Sequence, residues 1–148
     1  MALAPPIVLT IAGFDPSSGA GVTADVKTIA AHGCYGVACI TALTVQSTAG
    51  VRRVEPVRAE VVRETLDELA SDVEIAAVHI GMLGSAKVVR AVAEFLEQRK
   101  LGNIVLDPIL KSSSGADLVD PAGARLLTER LIPLAAVLTP DPEGGLPE

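Results

Sequence analysis

Short apolar runs alternate with amphipathic segments along the whole chain. The runs are apolar at nearly every position rather than at every second one, and each is followed by a glycine or a polar residue. Strands that are buried on both faces have this pattern. We therefore predict strands over residues 7–12, 37–43, 76–80, 103–106 and 135–138.

Between these runs, apolar residues recur at intervals of three and four, which is the spacing of an amphipathic helix. The predicted helices cover residues 22–31, 56–69, 88–100 and 121–131. Pro56 is expected at a first helical position, and Asp120 is expected to cap the helix that Pro121 opens. Gly33 and Gly102 are expected to end the first and third helices.

The alternation of buried strands with helices predicts the fold class. Such strands form a parallel sheet that is covered on both faces. We predict an α/β, doubly wound fold with a mainly parallel sheet and helices on both faces, in one domain over residues 1–148. Residues 140–148 cannot form the helix that should follow the last strand, so we expect an incomplete, truncated domain.

Composition excludes several classes of function. The 148 residues carry 12 Lys and Arg against 18 Asp and Glu, a net charge of −6, and aromatic residues make up 2%. Nucleic acid would require a basic face and stacking platforms that this chain lacks. The amino terminus lacks the positive charge of a secretory signal, and no apolar run reaches membrane-spanning length. We expect a cytoplasmic protein with neither nucleic-acid nor membrane partners.

The cysteines and histidines do not form a recognisable reactive site in the sequence. Cys34 and Cys39 have neither the C-x-x-C spacing of a redox centre nor the partners of a zinc site. His32 and His79 are isolated from other metal ligands. All four residues are therefore expected to be structural.

Polar and soft side chains follow each predicted strand. Ligands of open α/β sheets bind beyond the carboxyl ends of the strands, so these residues define the candidate site. The segments concerned are Asp15 with the glycine loop 17–21, Gln46, residues 81–82, residues 107–109, and residues 139–143.

The glycine loop has two equally good interpretations. Gly19 and Gly21 allow close approach of the backbone and lead into a helix, so the loop could bind a phosphate or could form a tight strand-to-helix turn. Residues 19–24 also fit the dinucleotide motif G-x-G-x-x-A. That third interpretation is weak, because residues 15–18 delay the first glycine and no ribose-binding acid follows the second strand.

Each candidate side chain also has an ordinary structural explanation. Asp25 could be an exposed acid near a helix start, and Gln46 could brace a loop as well as bind a polar heterocycle. Met82 could simply pack in the core. Asp107 could cap a turn or organise phosphate and metal, and Lys111 could contact phosphate or remain solvated. Their value as indicators of function is collective.

Several motifs, taken together, resemble the hydroxymethylpyrimidine and phosphomethylpyrimidine kinases of thiamine biosynthesis. The motifs are IAGFDPSSGAG at 11–21, ADVKT at 24–28, ITALTVQST at 40–48, IGML at 80–83, LDPI at 106–109 and SSG at 113–115. They occur in the family's order over nearly the whole chain. The resemblance implies a ribokinase-like fold, with ATP and substrate at the carboxyl edge of the sheet.

The resemblance also implies roles for individual residues. Asp25 and Gln46 would hydrogen-bond the aminopyrimidine and its hydroxymethyl group. The pocket would be lined by Gly13, Met82 and Ile109, and the residues associated with phosphate or metal would be Asp107, Lys111 and Glu143. The implied activity is ATP-dependent phosphorylation of 4-amino-5-hydroxymethyl-2-methylpyrimidine and its monophosphate, with Mg²⁺ as a second cofactor and a homodimer as the complete enzyme. Pyridoxine stays open as a substrate.

Two departures from the family's pattern bear on activity. The family's Gly-Thr-Gly loop followed by Cys or Asp, which holds the catalytic residue, does not occur in this sequence, so no catalytic residue is assigned. The segment Thr139–Glu143 is one residue shorter than the family's version and has Asp141 in place of Asn. We expect the amino-terminal half of the enzyme, inactive as this chain alone; the alternative is a noncatalytic pyrimidine-binding or subunit-pairing module.

Overall fold

The computed structural model describes residues 3–111, 115 and 117–141. Strands and helices alternate in chain order except at β2 and β3, which follow each other directly: β1 (Ile7–Phe14), α1 (Gly21–Ala31), β2 (Tyr35–Ser47), β3 (Gly50–Pro56), α2 (Ala59–Asp72), β4 (Ile75–Ile80), α3 (Ala86–Arg99), β5 (Ile104–Leu106), α4 (Pro121–Leu126) and β6 (Val137–Leu138). A π-helical turn at Leu127–Leu131 and a 3₁₀ turn at Ile132–Leu134 continue α4. Within this described part, no helix is long and apolar enough to cross a membrane.

The strands form one six-stranded sheet in the order β3-β2-β1-β4-β5-β6. Every neighbouring pair is parallel except β2 and β3, which pair antiparallel. The α/β class and the mainly parallel sheet that the sequence predicts are therefore confirmed.

Helices pack on both faces of the sheet, as the apolar strands predict. Successive side chains of a strand point to opposite faces. Leu9 and Ile11 of β1 belong to the main core, together with Val88 and Phe95 of α3. Thr10, which lies between them, instead hydrogen-bonds Asp25 of α1 on the other face. The main core thus lies between one face of the sheet and helices α2, α3 and α4, and α1 covers the opposite face of the sheet.

The helix ends follow the predicted signals at α4 but not at α3. Asp120 caps α4, with its Oδ1 accepting a hydrogen bond from the backbone N–H of Gly123 at 2.6 Å. The prediction that Gly102 caps the third helix is wrong. That helix ends at Arg99, so the residue that must turn left-handed is Lys100, at φ 52°.

The second strand is longer than the sequence predicts, and its antiparallel partner β3 is not predicted at all. β2 continues through Ser47 and turns back at Thr48 and Ala49 into β3. Gln46 consequently lies within a strand and not in a loop beyond it. The prediction that Pro56 opens a helix is wrong, because Pro56 is the last residue of β3 and α2 begins at Ala59. A Thr-Ala turn lacks the Asn-Gly or Asp-Gly signature of a two-residue hairpin.

Candidate functional site

A cavity of about 460 Å³ lies at the carboxyl ends of the central parallel strands. Its walls come from the end of β1, the start of α1, the β2–β3 hairpin, the end of β4 and the segment after β5. This is the edge at which open α/β sheets bind ligands. Its volume is within the range of small-molecule sites, which is roughly 300–1,000 Å³.

The cavity brings together the predicted site residues that the structure describes. They are Gly13, Asp25, Gln46, Met82, Asp107, Ile109 and Lys111. Glu143 lies outside the described residues. The shared location agrees with the expected site, while the substrate-binding and phosphate-binding roles of these residues remain predictions.

Asp25 is held at the cavity wall by two side chains. Its Oδ2 accepts hydrogen bonds from Thr10 Oγ1 at 2.6 Å and from His79 Nδ1 at 3.1 Å, and 21% of its side chain is exposed. Burial raises the pKa of Asp25, but the hydrogen bonds from His79 and Thr10 and the charge of His79 outweigh burial, so the pKa is below its ordinary value. Asp25 is therefore an ionised, oriented hydrogen-bond acceptor near neutral pH.

His79, which is expected from the sequence to be structural, lies in the cavity wall. The hydrogen bond to Asp25 raises the pKa of His79; burial opposes this shift, and the charges of Asp25 and Asp107 reinforce it. The available sequence signal was its position between Val78 and Ile80, both buried in the main core. A polar residue between two core residues of a strand must point to the other face, here the face of α1.

Gln46 reaches the cavity from the hairpin, next to Thr44. Oγ1 of Thr44 lies 2.8 Å from the carbonyl oxygen of Phe14 and 3.0 Å from Oε1 of Gln46. A hydroxyl carries one hydrogen and can donate it to only one of these oxygens at a time. When Thr44 donates to Phe14, a half-turn of the Gln46 amide lets its nitrogen donate to Thr44. Gln46 can thus present either an acceptor or a donor to a ligand.

The glycine loop is organised around the buried carboxylate of Asp15. Its oxygens accept hydrogen bonds from the backbone N–H groups of Ser17 (2.8 Å), Gly19 (3.1 Å) and Ala20 (2.9 Å), and from the Ser17 hydroxyl (2.6 Å). Burial raises the pKa of Asp15, but these hydrogen bonds together lower it by more, so the pKa is below its ordinary value. The loop's amides already bind an internal anion, so the structure favours the tight-turn interpretation over a phosphate or dinucleotide loop.

The apolar wall of the cavity depends on close packing at glycines. A Cβ added to Gly13 would lie 2.3 Å from Cε of Met82, and one added to Gly81 would lie 3.1 Å from Cβ of Ala12. Met82 is 8% exposed, and its carbonyl accepts a 2.5 Å hydrogen bond from the Thr41 hydroxyl. This hydrogen bond fixes the backbone of Met82, and the methyl end of its side chain is directed at Gly13.

Asp107, after β5, and Asp141, after β6, add carboxylates to the cavity wall. Burial raises the pKa of Asp107, the charges of Asp141 and Asp25 raise it further, and His79 opposes the shift. Lys111 is exposed, with its Nζ 3.7 Å from Oδ1 of Asp117. Among the described residues there is no group of three or more His, Cys, Asp or Glu residues that could hold a metal. Magnesium, however, is commonly bound through one or two carboxylates together with substrate phosphates.

A sequence profile of the phosphomethylpyrimidine kinase family matches residues 15–144. The hydroxymethylpyrimidine/phosphomethylpyrimidine kinase of Escherichia coli strain K12 is 44% identical over 133 residues, which are 90% of this chain and 50% of that protein. This chain spans about half the length of the curated relatives that it matches.

Solved structures agree with the sequence comparison. The crystal structure of phosphomethylpyrimidine kinase from Clostridium difficile 630 superposes with a TM-score of 0.85 at 39% identity, over 91% of this chain and 58% of that one. The pyridoxal kinase of Staphylococcus aureus in complex with pyridoxal superposes with a TM-score of 0.81 at 30% identity, over 93% of this chain and 50% of that one. These neighbours confirm the ribokinase-like fold.

Proposed function

Since the chain belongs to the phosphomethylpyrimidine kinase family, we propose that its cavity binds 4-amino-5-hydroxymethyl-2-methylpyrimidine or the monophosphate of this compound. The chain would thereby supply the substrate side of an ATP-dependent phosphoryl transfer. The observation that carries the proposal is that Asp25 of α1 and Gln46 of β2 line one cavity with Met82 and Ile109.

The chemistry of these side chains suits an aminopyrimidine. The ring offers flat apolar faces, acceptor nitrogens, an amino donor and a hydroxymethyl group. Asp25 is an ionised acceptor, Gln46 can donate or accept, and Met82 and Ile109 supply apolar contact. A cavity of about 460 Å³ also leaves room beyond the ring for a phosphate, towards Asp107 and Lys111.

The part of the cavity wall that contains Asp107 and Asp141 fits a hydrated divalent cation. The pKa of Asp107 is raised mainly by burial, and the charges of Asp141 and Asp25 add to this shift against the opposing charge of His79; a bound cation would favour the ionised carboxylate. Asp107 would hold magnesium and Lys111 would contact phosphate, with Glu143 as a further expected member. In this family ATP supplies the phosphoryl group, and magnesium neutralises its charge.

Isothermal titration calorimetry with the hydroxymethylpyrimidine tests the proposal. We expect saturable binding by the wild type and at least about tenfold weaker binding by Asp25→Asn, because an ionised acceptor is lost. Glu60→Gln, the same acid-to-amide change in the exposed first turn of α2, is the matched control and should bind as the wild type does. Equal affinity of Asp25→Asn and the wild type would contradict the proposal.

Two further measurements separate the neighbouring functions. Phosphorylation of the pyrimidine with ATP and magnesium would make this chain a kinase by itself, whereas binding without turnover would make it a noncatalytic pyrimidine-binding module. Tighter binding of pyridoxal than of the pyrimidine would indicate that the substrate resembles that of the pyridoxal kinases, to which the fold is also similar. The homodimer and the cytoplasmic location remain predictions; light scattering would test the former.

A further inference from the structure

Thr10 and His79 are direct neighbours in the sheet. They are register partners in the parallel pairing of β1 with β4. The residues on either side of each, among them Ile11 and Ile80, point into the main core. Thr10 and His79 therefore lie side by side on the opposite face of the sheet, where α1 places Asp25.

Both side chains donate to the same carboxylate oxygen. Oδ2 of Asp25 accepts hydrogen bonds from the Thr10 hydroxyl at 2.6 Å and from Nδ1 of His79 at 3.1 Å. Within the described part of the chain, no donor is assigned to the second oxygen, Oδ1. The carboxylate is thus divided into one oxygen used by the protein and one left for another donor, at a residue that lines the cavity.

We propose that His79 is a positioning residue that determines specificity at this site. By holding Oδ2 together with Thr10, His79 fixes the rotation of the Asp25 carboxylate and commits Oδ1 to a single N–H or O–H donor of the bound heterocycle. This inference rests on the proposed function, since it assumes that the pyrimidine binds in this cavity.

The physical reason for a second donor is rotational. A carboxylate held by Thr10 alone can pivot about that one hydrogen bond, whereas two donors from adjacent strands leave it one orientation. A heterocycle without a donor would bury the ionised Oδ1 unpaired, which is unfavourable, so a fixed Oδ1 selects donor-bearing ligands. The charged groups facing His79 are Asp25 from α1 and Asp107 from the segment after β5.

A double-mutant cycle tests the proposal, with affinity for the hydroxymethylpyrimidine measured by calorimetry. We expect His79→Ala to bind about tenfold more weakly than the wild type, because a hydrogen bond that orients a charged group is lost. His79→Asn, whose amide can donate from the position of Nδ1, should recover most of the affinity, to within about threefold of the wild type. His32→Asn, a change at the exposed end of α1, is the matched histidine control.

The decisive comparison is made in the Asp25→Asn background. Since His79 acts through Asp25, adding His79→Ala to Asp25→Asn should change the affinity by less than about twofold. A full additional tenfold loss would overturn the proposal, because His79 would then act on the ligand or the fold independently of Asp25. Circular dichroism and thermal unfolding of each variant identify any that is misfolded. If His79→Ala is misfolded, His79→Leu, which also removes the donor but keeps more of the side-chain volume, takes its place in the cycle with the same expected results.

The outcomes distinguish this inference from the proposed function. If the wild type binds the pyrimidine and His79→Ala binds it equally well, only the role of His79 is wrong. If the wild type does not bind, the proposed function is wrong and the role of His79 falls with it.

Discussion

Gly13 and Met82 are packed so closely that a Cβ on Gly13 would lie 2.3 Å from the Met82 methyl carbon. The contact joins the end of β1 to the residues after β4, at the wall of the cavity. Because a thioether can change rotamer at low energy, the neighbour that would have to move is a flexible side-chain end and not the backbone.

We therefore expect Gly13→Ala to fold but to lose affinity for the hydroxymethylpyrimidine. The new methyl group displaces Cε of Met82 into the cavity, and we expect affinity to fall by about tenfold. Because only a flexible side-chain end must move, the loss of stability should be about 1 kcal/mol, at the low end of the usual cost of overpacking. Calorimetry and urea unfolding measure the two effects. In a Met82→Ala background, which lacks the displaced atoms, Gly13→Ala should cause less than about a twofold further loss of affinity; a full additional tenfold loss would contradict this cause.

Gly21→Ala, in contrast, should mainly reduce the stability of the fold. Gly21 has φ +62°, and its added Cβ would lie 2.2 Å from the carbonyl oxygen of Gly13, a backbone atom that cannot swing away. We expect a loss of stability of about 2 kcal/mol or more, combining left-handed strain with this clash. Gly33→Ala is the matched control, because Gly33 has φ +74° with nothing within 4 Å. Equal losses in the two variants would show that the clash contributes nothing.

The contact between His79 and Asp25 predicts how stability depends on pH. The pKa of Asp25 is lowered from 3.8, so its contribution is present above pH 3.8 and lost as pH falls through the folded-state pKa. The pKa of His79 is raised from 6.5, so its contribution is present below pH 6.5 and lost as pH rises through the folded-state pKa. The pair is thus fully stabilising between these two reference values.

His79→Asn isolates the basic limb of this dependence. The wild type should exceed His79→Asn in free energy of unfolding most clearly below pH 6.5, and the difference should shrink as His79 loses its proton. Urea unfolding of both proteins from about pH 5 to about pH 9 measures it. A difference that is constant over this range would show that the charge of His79 is not coupled to Asp25.

Asp107→Asn should stabilise the fold in the absence of magnesium. Burial and the charges of Asp141 and Asp25 raise the pKa of Asp107, so this group favours the folded state fully only below pH 3.8 and loses that contribution as it ionises. A neutral amide avoids the penalty near pH 7, and thermal unfolding with a chelator present should show a higher Tm. Glu74→Gln, on an exposed residue before β4, should leave Tm unchanged. A lower Tm for Asp107→Asn would contradict this account.

Parts of the fold that follow from local chemistry could be predicted from the sequence. Asp120 and Pro121 correctly marked the start of α4, since capping is decided within one turn of chain. The β2–β3 hairpin was not predictable in the same way, because its pairing depends on a partner strand and its turn carries no strong signature. The extension of β2 to Ser47 is part of the same tertiary effect.

The site shows a similar division. That Asp25 and Gln46 reach one edge followed from the rule for parallel strands, although Gln46 arrives there on a strand and not on a loop. The contact of Asp25 with His79 could not be found from sequence spacing, since 54 positions separate them and only the register of β1 with β4 places His79 beside Thr10. The sequence also did not show which anion the glycine loop binds. In the structure it is the carboxylate of Asp15, which accepts hydrogen bonds from the amides of the loop.

The methyl group of Met82 provides the most direct test of where the pyrimidine binds. The chain has two methionines, so methyl-labelled methionine gives a simple carbon–proton NMR spectrum in which Met82→Leu assigns the cavity signal. Titration with 4-amino-5-hydroxymethyl-2-methylpyrimidine should shift the Met82 signal saturably in the wild type, with at least about tenfold more ligand needed in Asp25→Asn. Saturable binding that leaves the Met82 signal unmoved would contradict a pyrimidine site between Asp25 and Gln46.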